Sequence, residues 1–116
     1  MHEMTVAAGI LSAALGASRG KKIRTVALVV GELAGIEEEC LGLCWEAVSE
    51  DTLCSDSRLD IRYVPAELVC RDCGRKFPLR ENRMLLCPFC GGEARLANRA
   101  DELYIASVET YDKTNT

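Results

Sequence analysis

The stretches Cys70-Arg71-Asp72-Cys73-Gly74 and Cys87-Pro88-Phe89-Cys90-Gly91-Gly92 carry two Cys-x-x-Cys turns separated by thirteen residues. Each turn aims two sulfurs at one point, and two such turns complete a tetrahedron of thiolates for Zn²⁺. Gly74, Pro88, Gly91 and Gly92 are turn formers that let backbone N–H groups face sulfur. Two disulfides would be the competing reading, but nothing else in the chain has a secreted character. Seven cysteines, an odd number with a zinc pattern among them, fit a reducing compartment. A closed Cys₄ shell leaves no open position for substrate, so zinc at Cys70, Cys73, Cys87 and Cys90 is expected to be structural.

A chain of 116 residues fits one small domain with a metal-stapled appendage. The knuckle segment is too short to fold on apolar burial alone, so metal binding must supply much of its stability. The start, Met1-His2-Glu3-Met4, has no basic leader pattern, and no apolar run approaches about 18 residues. A cytoplasmic protein without membrane attachment is expected. The net charge of −4 is unevenly spread. Residues 1–69 hold eleven acids and six bases, residues 70–100 seven bases and three acids, and the tail four acids and one base. Four thiolates with one Zn²⁺ would remove about two of the middle segment's positive charges.

Around the knuckles the hydrophobic periods predict an α+β fold. Residues 4–18 read as a helix, with Val6, Ile10 and Ala14 on its inner face and Gly20 as its stop. Residues 23–30 read as a strand buried on nearly both faces. Gly31 to Gly35 reads as a loop. A second helix, about 37–50, has a stripe of Leu41, Cys44, Trp45 and Val48, with Glu37, Glu38 and Glu39 in its first turn. A strand follows, with Leu59, Ile61 and Tyr63 alternating against Arg58, Asp60 and Arg62. The last strand covers 103–109, and residues 111–116 read as a frayed tail. The expected architecture is a small sheet with two helices packed on it and an inserted Cys₄ zinc-ribbon-like unit. Residues 1–67 and 93–116 form the α+β part, and residues 68–92 the zinc-binding part.

His2 is the sole histidine, and it sits at position two. The terminal amine, the His2 backbone amide and imidazole Nδ1 can close five- and six-membered chelate rings. Ni²⁺ and Cu²⁺ favour such square-planar nitrogen sites, with Glu3 offering a further donor. On chemistry alone, a solvated histidine on a loose end is the favoured reading of this position.

Taken together, Met1-His2-Glu3, Val30-Gly31-Glu32-Leu33, the helix after it and the two knuckles resemble the HypA/HybF family. These are nickel metallochaperones of [NiFe]-hydrogenase maturation, and the resemblance spans nearly the whole chain. It implies that one Ni(II) cargo ion binds at the N-terminus through His2, with Glu3 next to it and Glu37 placed near the site. The same resemblance implies a HypB-type GTPase and the hydrogenase large subunit as partners, with urease a client of some relatives.

The competing function is a zinc-ribbon protein- or nucleic-acid-binding module using Arg71, Arg75, Lys76, Arg80 and Arg83. Overall acidity and few aromatics near the knuckles argue against nucleic acid. An enzyme is not expected, because no catalytic constellation appears. Cys40 and Cys44 are expected to pack into the core, and Cys54 to be structural. A homodimer by segment exchange would hinge at 64–68 and 92–102.

Overall fold

In the computed structural model, residues 3–79 and 86–111 are described. The elements are α1 (Glu3–Ser18), β1 (Ile23–Gly31), a 3₁₀ turn (Glu32–Ala34), α2 (Glu38–Ser49), β2 (Arg58–Val64), β3 (Glu67–Cys70), β4 (Lys76–Pro78), β5 (Ala94–Leu96) and β6 (Leu103–Thr110). The expected α+β class holds. The strands form two three-stranded sheets, ordered β2-β1-β6 and β4-β3-β5. The chain divides into two compact units. One holds residues 1–29, 35–62 and 104–116; the other holds 30–34 and 63–103.

In the first unit α1 and α2 pack on one another. The inner face of α1 is Ala7, Ile10, Ala14 and Ser18, with Val6 only half-buried. Small residues on that face let two helix backbones approach closely, which rotates the stripe away from the larger side chain. The helix stops where expected, with Arg19 and Gly20 both in the left-handed region at φ 55° and 81°. β1 is buried along most of its length, including Ile23, Val26, Leu28 and Val30. α2 buries Leu41, Trp45 and Ser49, while Cys44 and Val48 are half-buried. Trp45 Nε1 donates to Ser57 Oγ at 3.0 Å, which satisfies the one polar group of this core aromatic. Cys54 is 0% exposed, in keeping with the structural role expected of it. Cys40 is exposed, contrary to the packing expected for it, because it sits in the first turn off the Leu41–Trp45 stripe. Tyr63 is exposed as well, so the alternation of β2 fails at its last pair.

The second unit is a short antiparallel sheet around the knuckles, with β3 at its centre. β3 pairs with β4 through Leu68↔Phe77 and with β5 through Leu68↔Leu96. Leu68, Phe77, Cys70 and Cys87 form its small core, with Leu79, Ala94 and Leu96 against it. The segment 31–33 is tied to the far end of the same unit: Gly31 N donates to Glu102 O at 2.9 Å and Leu33 N to Ala100 O at 2.7 Å. Glu32 Oε1 accepts from Ala66 N at 2.7 Å. Within residues 31–35, expected as a plain loop, Gly31 therefore ends β1 and Glu32–Ala34 form a hydrogen-bonded 3₁₀ turn.

Candidate metal centres

The knuckles bring four sulfurs together. Sγ atoms of Cys70, Cys73, Cys87 and Cys90 all lie within 4.8 Å of one another. Two of the separations are 3.4 Å (Cys70–Cys90) and 3.6 Å (Cys73–Cys87). A tetrahedron with Zn–S of about 2.3 Å has edges of about 3.8 Å, so the cluster fits Zn²⁺ with little adjustment.

The backbone explains why these turns aim sulfur inward. After Cys70, the N–H groups of Asp72 and Cys73 donate to its Sγ at 3.3 and 3.4 Å. After Cys87, Phe89 N donates to Sγ at 3.4 Å. Each turn closes with a glycine N–H on the first cysteine's carbonyl, Gly74 on Cys70 at 3.1 Å and Gly91 on Cys87 at 2.9 Å. Those two glycines have φ of 76° and 78°, a conformation that a Cβ would strain. A Cβ at Gly92 would press on the Asp72 carboxylate and sit 3.2 Å from Cys70 Sγ.

These donors tune the thiols. The Cys73 N–H, together with that of Asp72 and side-chain hydrogen bonds from Cys90 and Cys73, outweighs burial and lowers the Cys70 thiol to about 6. At neutral pH Cys70 is thus already a thiolate. Cys90 is pushed up to about 12: the Gly92 N–H lowers it, but Cys70, burial, Cys73 and Cys87 together outweigh that donor. A divalent ion replaces the proton that the pair would otherwise share. The ion would be held by four thiolates with no vacant position, which is the chemistry of a fold staple. Phe89 is exposed and stacks on Arg75, whose guanidinium lies 4.6 Å from the ring centroid.

The other expected site lies partly outside the described residues, since His2 falls there. Glu3 and Glu37 are joined through the Glu37 backbone. Glu3 begins α1, Glu37 is the N-cap of α2, and Glu37 N donates to Glu3 Oε2 at 3.0 Å. Glu37 Oε1 in turn accepts from Cys40 N at 2.9 Å, capping α2 at its third residue. Residues thirty-four apart in sequence are thus joined where two helices start. Sequence reasoning missed that Cys40 belongs to this cluster. The signal was present, because a residue three past an N-cap faces the capping side chain. Burial of the sulfur, the charge of Glu3, the neighbouring Cys44 and then Glu37 raise the Cys40 thiol above its ordinary value.

Comparison with known proteins agrees along the whole chain. Residues 1–110 match the family described as hydrogenase/urease nickel incorporation, metallochaperone, HypA. The hydrogenase maturation factor HypA of Dehalococcoides mccartyi is 33% identical over 119 aligned residues, covering 100% of this chain and 99% of that protein. The factor of the same name from Rhodopseudomonas palustris is 35% identical over 112 residues, covering 94% and 98%. The solution structure of the Ni metallochaperone HypA from Helicobacter pylori superposes with a TM-score of 0.66 over 95% of this chain and 97% of that one. At 24% identity, this last likeness is one of fold.

Proposed function

Since the chain belongs to the HypA family of hydrogenase maturation factors, we propose that it is a nickel metallochaperone. It binds one Ni(II) at its N-terminus and helps deliver that ion to the large subunit of [NiFe]-hydrogenase. The observation that carries this reading is the family match from residue 1 to residue 110, which includes both the Met1-His2-Glu3 start and the knuckles. The bond from Glu37 N to Glu3 Oε2 supports it, because it holds the Glu3 carboxylate where the two helices start, and a carboxylate favours a cation there.

In this reading the donors are the terminal amine and His2, with Glu3 and Glu37 beside them. The same residues account for release as well as capture. A site built on a chain end opens by local fraying without unfolding α1. The amine (ordinarily near 8) and the imidazole (near 6.5) must both be unprotonated to bind, so affinity falls as pH drops. The Cys₄ zinc does no chemistry and keeps the knuckle unit folded. Residues 1–67 with 93–116 as the nickel part and 68–92 as the zinc part belong to the same proposal. So do a HypB-type GTPase as partner in delivery, a cytoplasmic location and the absence of catalysis. Among the described residues, no helix is long and apolar enough to cross a membrane.

The test is a nickel titration of the zinc-loaded chain with an untagged N-terminus, beside the same chain carrying one extra N-terminal residue. The native form should bind about one Ni(II) and the extended form should lose it, as should His2→Ala with its zinc content unchanged. Equal binding by all three would refute the N-terminal site.

A further inference from the structure

Three cysteines lie outside the Cys₄ cluster, and the nickel reading uses none of them. Cys54 is 0% exposed and closed to any ligand. Cys40 and Cys44 differ from it. They are four residues apart on α2, so their side chains sit one above the other on one helix face. Cys40 is exposed and Cys44 half-buried, so both can be reached from solvent. At that spacing the two Cβ atoms lie about 5–6 Å apart, so one ion can reach both sulfurs without rebuilding the helix.

We propose that Cys40 and Cys44 form a second metal site, a dithiolate for a thiophilic monovalent cation, Cu(I). Thiolates are soft donors and select such an ion over hard divalent cations. A pair of them satisfies a cation content with two ligands, whereas it supplies only half of the shell that zinc takes in the knuckles. The surroundings favour positive charge. Glu37 Oε1 accepts from Cys40 N at 2.9 Å and Glu3 Oε2 from Glu37 N at 3.0 Å, so carboxylates stand at the helix start that carries Cys40. On binding, each thiol gives its proton to solvent as its bond to copper forms. Two protons leave for one Cu(I), and no electron changes hands. The site goes beyond the nickel reading and stands without it, since neither thiol is among the nickel donors.

The experiment uses the zinc-loaded, untagged chain, titrated without oxygen with Cu(I) buffered by bicinchoninate, while zinc is followed with a chromogenic chelator. The parent chain should take its first Cu(I) with zinc retained. Cys40→Ser should weaken that uptake by about tenfold or more, since one of two thiolates is gone. Because Cys40 is exposed, this variant should keep the parent's circular dichroism and zinc content. Cys44→Ser should behave alike, and His2→Ala should bind Cu(I) as the parent does. Parent-like affinity in Cys40→Ser, entry of copper only as zinc leaves, or loss of copper in His2→Ala would each overturn the proposal. The nickel titration above reads the N-terminal site separately, so the two ideas fail independently.

Discussion

Gly31→Ala should destabilise the protein severely, and the reason is space. Gly31 is not among the glycines with positive φ, so its backbone suits any residue. A Cβ there, however, would overlap the O, C and Cα atoms of Ala100, a residue with 0% exposure. Backbone cannot turn aside as a side chain can, so the end of β1 and residue 100 must separate. Separation stretches Gly31 N→Glu102 O, now 2.9 Å, and Leu33 N→Ala100 O, now 2.7 Å. Overpacking costs about 1–3 kcal/mol, and each weakened hydrogen bond about 1 kcal/mol. The total is roughly 3–5 kcal/mol, or a fall in Tm on the order of 12–20 °C for a chain of this size. Thermal unfolding by circular dichroism with zinc present would read it. Gly9→Ala serves as the control. It lies in the exposed interior of α1 with nothing within 4 Å of the added methyl, so the change should stabilise by up to about 1 kcal/mol. A Gly31→Ala protein melting within about 2 °C of the parent would show that the approach of Ala100 is not a constraint.

Further outcomes are expected. Chelating zinc should abolish hydrogen-exchange protection at the Gly74 and Gly91 amides while α1 and α2 keep theirs. Acidification should act in the same direction: the Cys70 thiol is lowered, so its contribution is present above the ordinary thiol range and is lost as pH falls through about 6. Cys40 is raised, so its alkylation by iodoacetamide at pH 8 should be slower than that of a free thiol, and its rate should rise at a more alkaline pH than a free thiol's. Glu3→Gln removes one of the charges responsible and should speed it, as read by mass spectrometry. Trp45→Phe removes the bond to Ser57 and should cost about 0.5–1.5 kcal/mol in denaturant unfolding.

The knuckles were legible because cysteine spacing and flanking glycines encode a local geometry, needing no knowledge of distant residues. The helices and long strands were legible from their periods. What escaped was either too short or too non-local. β4 and β5 have three residues each, fewer than a period-2 pattern needs to stand out. The turn at 32–34 depends on Ala66 and Ala100, which no local pattern reports. The face of α1 turned on which residues are small as well as which are apolar, so Ala7 displaced Val6. Glu3 and Glu37 were joined in the sequence only through the family resemblance, because nothing in their local chemistry links positions thirty-four apart.

The strand order β2-β1-β6 has a consequence for the sequence of folding events. To complete this sheet the chain must close a loop over residues 65–102, thirty-eight residues. Once β3 and β5 pair and Ala97 N reaches Glu67 O at 2.7 Å, only residues 65–66 and 98–102 remain as slack. Shortening an unstructured connection from about forty residues to about seven lowers the entropy of closure by about 1.5 kcal/mol. That is close to a tenfold gain in the equilibrium for docking β6. Metal uptake in one part of the chain thus hastens completion of the other through the connecting backbone alone. A nascent chain that loads zinc early should therefore reach its finished sheet sooner than one that loads it late.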